Sequence, residues 1–309
     1  MNEFATGVAY ILRETFTVSR GLAAALCVAL VALAGACGGE AEDRTLTLGY
    51  LEWDENVAVS NLTKVLLEEE LGYDKVELKK TDLGPIFDEV ATGEVDGFQD
   101  VWLPNHDERL AAVEGEVERL GGWYDGETEY GIAVPSYMED VKSIEDLDRS
   151  EVGMIIGIEP GSAFHDRISR DVIPDYGLDV KLVESSTPAM LDELDRAYQM
   201  QEPIVFLGWS PHWMNVEYDF RYLEDPKDAQ GAFDASSEIT TIVRSDLAED
   251  DPTAYEFLSS ISLTEEQVND LEARINETRD PTEGARAWLD DNRNVVAPWI
   301  SAAEETQST

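Results

Sequence analysis

Residues 204–212 read Ile-Val-Phe-Leu-Gly-Trp-Ser-Pro-His, and residues 98–106 read Phe-Gln-Asp-Val-Trp-Leu-Pro-Asn-His. Each is a strand running into a Trp and a Pro turn, with a His just beyond. Upstream of the first, Leu46, Leu48 and Tyr50 alternate as in a strand. Leu62, Val65 and Leu66 follow at helical spacing, with Gly72 placed to close the helix. A short strand at 76–78 and a helix opened by Pro85, with Ile86, Phe87 and Val90 on one face, then lead into residues 98–101. The second half repeats this order: a strand at 154–158, a helix start at Gly161-Ser162, a strand at 180–183, a Pro188 helix carrying Met190, Leu191 and Leu194, then residues 204–207. Forty-nine positions separate Trp53 from Trp102, and the same number separate Pro160 from Trp209. The pattern predicts an α/β protein of two similar lobes, each presenting residues at the C-terminal ends of its strands, where ligands sit in open α/β sheets.

The apolar runs at 130–134 and 239–243 are expected to cross between the lobes as a two-strand hinge. The resulting division is residues 45–134 and 242–309 for lobe 1 and 135–241 for lobe 2, with the chain beyond 242 returning to lobe 1 as amphipathic helices. Trp123, Trp288 and Trp299 are expected in the core.

With 309 residues and 43% hydrophobic content the chain has material for two cores. Its 66 acidic residues against 22 Lys and Arg give a net charge of −44, which argues against a nucleic-acid partner and reads as a highly hydrated surface suited to salt. At the N-terminus, Arg13 and Arg20 precede an apolar run over residues 21–36, the layout of a bacterial export signal and too short for a multi-span membrane protein. It ends in Ala34-Gly35-Ala36-Cys37-Gly38-Gly39, which resembles a lipobox, so residues 1–37 are expected to form a lipoprotein signal segment with Cys37 the lipidated residue. The alternative is simple export with cleavage nearby, leaving Cys37 as a free thiol. Residues 38–44 read as a tether.

Enzymatic patterns are absent: no GxSxG, no GxxxxGK[ST], no HExxH and no CxxC. Among 66 carboxylates any chosen pair is uninformative, and His106, His165 and His212 lack metal-ligand spacing. The expectation is a protein without catalytic chemistry, metal or cofactor; an exported acidic hydrolase is the competing class. Three tryptophans stand out instead. Trp53, Trp102 and Trp209 each follow an apolar strand, which places large rings near a cleft. A quaternary ammonium needs such rings, because it has no N–H donors and is held by ring faces and dispersion. Ser162, as an N-cap, presents the backbone N–H groups of Ala163 and Phe164 at a helix start suited to a carboxylate. Cation cage plus carboxylate cradle describes a betaine.

Five segments carry a resemblance over nearly the whole chain beyond the signal: Gly49-Tyr50-Leu51-Glu52-Trp53-Asp54, Trp102-Leu103-Pro104-Asn105-His106, Gly131-Ile132-Ala133-Val134-Pro135, Ile156-Gly157-Ile158-Glu159-Pro160-Gly161-Ser162, and Gly208-Trp209-Ser210-Pro211-His212-Trp213-Met214. In these the sequence resembles the glycine betaine/proline betaine substrate-binding proteins of ABC importers. The resemblance implies a type II periplasmic-binding-protein fold that closes over its ligand at a hinge, with Trp53, Trp102 and Trp209 as cage walls. It also implies that the N–H groups of Ala163 and Phe164 hold the carboxylate and that His106 assists. Relatives often have Gly where Ala163 stands, and some carry one more residue between Pro104 and His106. The implied partners are a betaine ligand and an ABC permease with its ATPase. The implied setting is the outer face of the cytoplasmic membrane, where the chain is a lipid-anchored monomer; choline or carnitine capture is the alternative within the family.

Overall fold

The computed structural model describes residues 43–149, 152–231 and 238–307; the export segment, Cys37 and most of the tether lie outside the described residues. One sheet contains β1 (Thr45–Tyr50), β2 (Lys75–Lys80), β3 (Gly97–Leu103), β4 (Val117–Gly122) and β11 (Glu238–Arg244), in the order β2-β1-β3-β11-β4. The other contains β6 (Glu129–Pro135), β7 (Met154–Ile156), β8 (Lys181–Val183), β9 (Phe206–Ser210) and β10 (Phe220–Tyr222), in the order β10-β6-β9-β7-β8. In each, three strands run parallel and a strand from elsewhere in the chain lies antiparallel beside them: β11 against β3, and β6 against β9. Taken from opposite ends, the two orders correspond strand for strand. These are the two lobes. A small ribbon pairs β5 (Tyr124–Asp125) with β12 (Leu263–Thr264).

The runs expected to cross between lobes lie instead inside the sheets the chain is entering. Residues 129–134, expected at the end of lobe 1, lie in the second sheet, and residues 238–241, expected in lobe 2, lie in the first. Burial explains the difference. Every residue from Tyr130 to Pro135 and from Ile239 to Val243 is buried, and such a run needs neighbours on both faces that an open hinge does not supply.

The same burial governs β3 and β9, whose residues are covered along nearly their full length, even the polar Gln99 and Asp100. Eight helices matter below: α1 (Asp54–Glu69), α2 (Ile86–Ala91), α3 (Asp107–Ala112), α4 (Ala163–Arg167), α5 (Thr187–Met200), α6 (Pro252–Ser260), α7 (Glu265–Thr278) and α8 (Pro281–Thr306). α7 opens with a capping box between Thr264 and Gln267, and α8 opens on the Asp280 side chain, which accepts the N–H groups of Thr282 and Glu283. Both then pack on α1, so the end of the chain returns to the first lobe. Trp123, Trp288 and Trp299 are buried in the core. Among the described residues no helix is long and apolar enough to cross a membrane.

Candidate functional site

The C-terminal ends of β1, β3, β7 and β9 converge on one cleft, lined from the first lobe by Trp53, Glu55, Trp102, Asn105 and His106 and from the second by Tyr130, Ile158, Ser162, Ala163, Phe164 and Trp209. The cavity between them is small, about 60 Å³. All six expected ligand-binding residues, Trp53, Trp102, Trp209, His106, Ala163 and Phe164, are brought together here. Glu55, Asn105, Tyr130 and Ile158 are additions that the sequence did not single out.

Local structure fixes each ring. Trp53 occupies the N-cap position of α1 in an extended conformation, and the loop before it is tied down by the Leu51 N–H donating to Asn56 Oδ1 at 2.7 Å. Trp102 ends β3; its backbone N–H donates to His106 Nδ1 at 3.1 Å and its carbonyl accepts from the His106 N–H, which folds the Pro turn back on the strand. Trp209 ends β9, its carbonyl accepting from Asn215 Nδ2 at 2.7 Å. Each indole N–H then finds a carboxyl oxygen: Trp53 that of Glu159 at 3.2 Å, Trp102 that of Asp100 at 2.8 Å, and Trp209 that of Glu55 at 3.1 Å. With the N–H groups satisfied at the ring edges, the ring faces remain for the cleft.

The remaining walls are aromatic as well. Trp53 stacks with His106 at 6.2 Å and 22°, Trp102 meets Tyr130 edge to face at 6.3 Å, and Tyr130 meets Phe164 edge to face at 4.8 Å. Tyr130 Oη donates to Asn105 Oδ1 at 2.8 Å across the lobes. Ser162 caps α4 as its sequence position predicts, accepting the His165 N–H at 3.2 Å, and the left-handed φ of +88° at Gly161 turns the chain into that cap. Ala163 and Phe164 are thus the first residues of a helix whose N-terminus forms part of the cleft wall.

Burial controls the charges. It pushes the His106 pKa down to about 3, helped by Arg109, so the ring is neutral at physiological pH. Because Nδ1 accepts from Trp102, the proton sits on Nε2. Behind the rings, Glu55, Asp100 and Glu272 are all buried, and burial, joined at Glu55 and Glu272 by repulsion from neighbouring carboxyls, holds the three well above the ordinary carboxylate range. Asp100 Oδ2 and Glu272 Oε1 have no hydrogen-bond partner among the described residues, so nothing there offsets the cost of burying a charge on them. Among these residues no group of three His, Cys, Asp or Glu is arranged to hold a metal ion.

A pH dependence follows. An acid whose pKa is raised by folding contributes stability that is present below its unfolded value, 4.5 for Glu, and lost as pH climbs towards the folded value. His106 acts oppositely: its contribution is complete above the unfolded 6.5 and is lost only as pH falls towards about 3. Above pH 6.5, then, His106 is silent and the buried acids set the slope. Glu272→Gln keeps a carbonyl oxygen for the Trp213 N–H, which now donates to Glu272 Oε2 at 2.6 Å, and removes one titration. Urea unfolding between pH 6.5 and 8.5 should show stability falling with pH, and falling less in this variant, by up to about 1.4 kcal/mol per pH unit. Equal slopes would mean that Glu272 is ionised in the fold.

A cleft walled by three indoles, a tyrosine and a phenylalanine suits a cation without hydrogen-bonding hydrogens. The family model described as the substrate binding domain of the ABC-type glycine betaine transport system, OpuAC, matches residues 44–291. The chain belongs to this family. It is 36% identical to lactococcal OpuAC in its closed-liganded conformation complexed with glycine betaine, with a TM-score of 0.75 over 84% of this chain and 100% of that one. An ABC-transporter choline binding protein in complex with choline is 27% identical, with a TM-score of 0.72 over 83% of this chain and 91% of that one. The glycine betaine/carnitine transport binding protein GbuC of Listeria monocytogenes serotype 1/2a (strain 10403S) is 37% identical over 154 residues, 49% of this chain; the match spans half the length of that relative. The OpuAC-family fold of two α/β lobes with a cleft between them is the one expected from the repeated halves.

Proposed function

We propose that this chain is an extracytoplasmic receptor that captures glycine betaine between its lobes and delivers it to an ABC permease with its ATPase, performing no chemistry itself. The observation that carries this reading is the convergence, in one cleft, of three indoles from the strand ends of both lobes with the start of α4. Trp53, Trp102 and Trp209 would surround the trimethylammonium group, the Ala163 and Phe164 N–H groups would hold the carboxylate, and neutral His106 would donate through Nε2. Calorimetric titration with glycine betaine, choline, carnitine and proline tests it. Saturable binding of betaine, with choline weaker, supports the assignment, and silence towards every quaternary ammonium sinks it. The choline-binding relative makes choline the second reading; choline has no carboxylate, so the helix start would be idle, and choline binding at least as tight as betaine would favour it.

Membrane attachment belongs to the same proposal and rests on Cys37 after the apolar run. Expressed in a bacterium and partitioned with Triton X-114, the full chain should enter the detergent phase and its Cys37→Ser variant should stay aqueous. An aqueous unaltered chain would leave the free-thiol alternative standing.

A further inference from the structure

The hydrogen bonds that hold two of the cage walls are exchanged between lobes. Trp53, of the first lobe, donates its indole N–H to Glu159 of the second; Trp209, of the second, donates to Glu55 of the first. Trp102, by contrast, is held by Asp100 two residues earlier on its own strand. Glu159 is itself fixed: Thr187, at the start of α5, donates its backbone N–H to Oε1 at 2.7 Å and its hydroxyl to Oε2 at 2.9 Å, so three donors converge on one carboxyl. We propose that Glu159 and Glu55 are positioning residues that make the cage a property of the closed state, each locking the indole of a wall that belongs to the opposite lobe.

The consequence is physical. When the lobes part, Trp53 and Trp209 lose their partners together, water takes over both N–H groups, and each ring regains its torsional freedom. Exchange with water makes each bond worth only a modest net amount, so closure stays dependent on ligand. A ligand cation between the rings favours the state in which both are fixed. Trp102 remains in place throughout, as a wall on which the ligand first settles.

This inference rests on the proposed betaine reading, and its test separates the two. Betaine affinity and dissociation rate are measured by titration and stopped-flow tryptophan emission for the unaltered chain, Glu159→Ala, Trp53→Phe, and the two combined, with circular dichroism checking the fold. Glu159→Ala should weaken binding about tenfold, chiefly through faster dissociation. In the Trp53→Phe background, where position 53 has no indole N–H to offer Glu159, the same change should cost less than about twofold. Equal losses in both backgrounds would show that Glu159 acts only by holding the start of α5 through Thr187, and would overturn the latch alone. Should Glu159→Ala fail to fold, Trp53→Phe is compared with Trp102→Phe, which changes the same kind of ring but loses an indole bond within its own strand: faster dissociation in Trp53→Phe than in Trp102→Phe supports the latch, and equal dissociation overturns it. An unaltered chain that binds no quaternary ammonium overturns the functional reading, and the latch with it.

Discussion

Replacing any one of Trp53, Trp102 or Trp209 by Ala is expected to weaken betaine binding by a factor of about 5–30 while leaving the fold intact, and replacing all three should abolish measurable binding. The magnitude follows from a desolvated cation–π contact worth roughly 1–2 kcal/mol per ring. Desolvation is the condition that matters, and the structure meets it: the three indoles are 7%, 5% and 6% exposed, with their N–H groups occupied at the ring edges. The fold should survive because these rings sit at a helix start and near strand ends, facing the cleft, while the largest fully buried side chains include Trp123, Phe98 and Phe206. Phe at the same positions should retain part of the affinity, keeping a ring face with a weaker quadrupole. Titration with betaine, alongside circular dichroism, reads the result. Unchanged affinity in all three Ala variants with native dichroism would remove the cage.

The sequence carried the two-lobe plan because its signals are local: alternation at Leu46, Leu48 and Tyr50, helical spacing at Leu62, Val65 and Leu66, and the recurrence of Trp and Pro at the ends of β3 and β9. Local signals also brought the six expected residues to one cleft, since a Trp at a strand end has few other places to go. What stayed hidden depends on distance. Glu55 and Glu159 are two acidic residues among 66, and their partnership with the indoles exists only once the start of α1 faces the end of β9 and the turn after β7; Asp100, two residues before Trp102 on β3, is a local partner. Tyr130 and Asn105 are likewise joined across the lobes. The hinge was misplaced for a related reason: residues 130–134 and 239–243 read as apolar strands, and periodicity does not say which sheet a fully buried strand joins.

Removing one backbone donor should separate the two halves of the betaine. Ala163→Pro deletes the N–H at the first position of α4, and the local structure accepts it: Pro is favoured at that position, and Ser162 before it has φ −63° and ψ 138°, the extended conformation that a following Pro requires. The Ala163 N–H has no partner among the described residues, so its loss breaks no bond of the fold. If it serves a bound carboxylate, a charge-assisted bond worth about 1.5–3 kcal/mol disappears, and betaine affinity should fall by about ten- to a hundredfold. Choline, which carries the same cation and no carboxylate, should bind the variant within about threefold of the unaltered chain. The proline ring adds bulk at a half-buried position of the cleft, so Ala163→Val, which adds bulk and keeps the N–H, serves as the control and should bind both ligands nearly as before. The ratio of betaine to choline affinity is therefore the informative quantity. If both ligands weaken together in Ala163→Pro, or if Ala163→Val shows the same selective loss, the helix start does not hold the carboxylate, and His106 with Ser162 becomes the place to look for it.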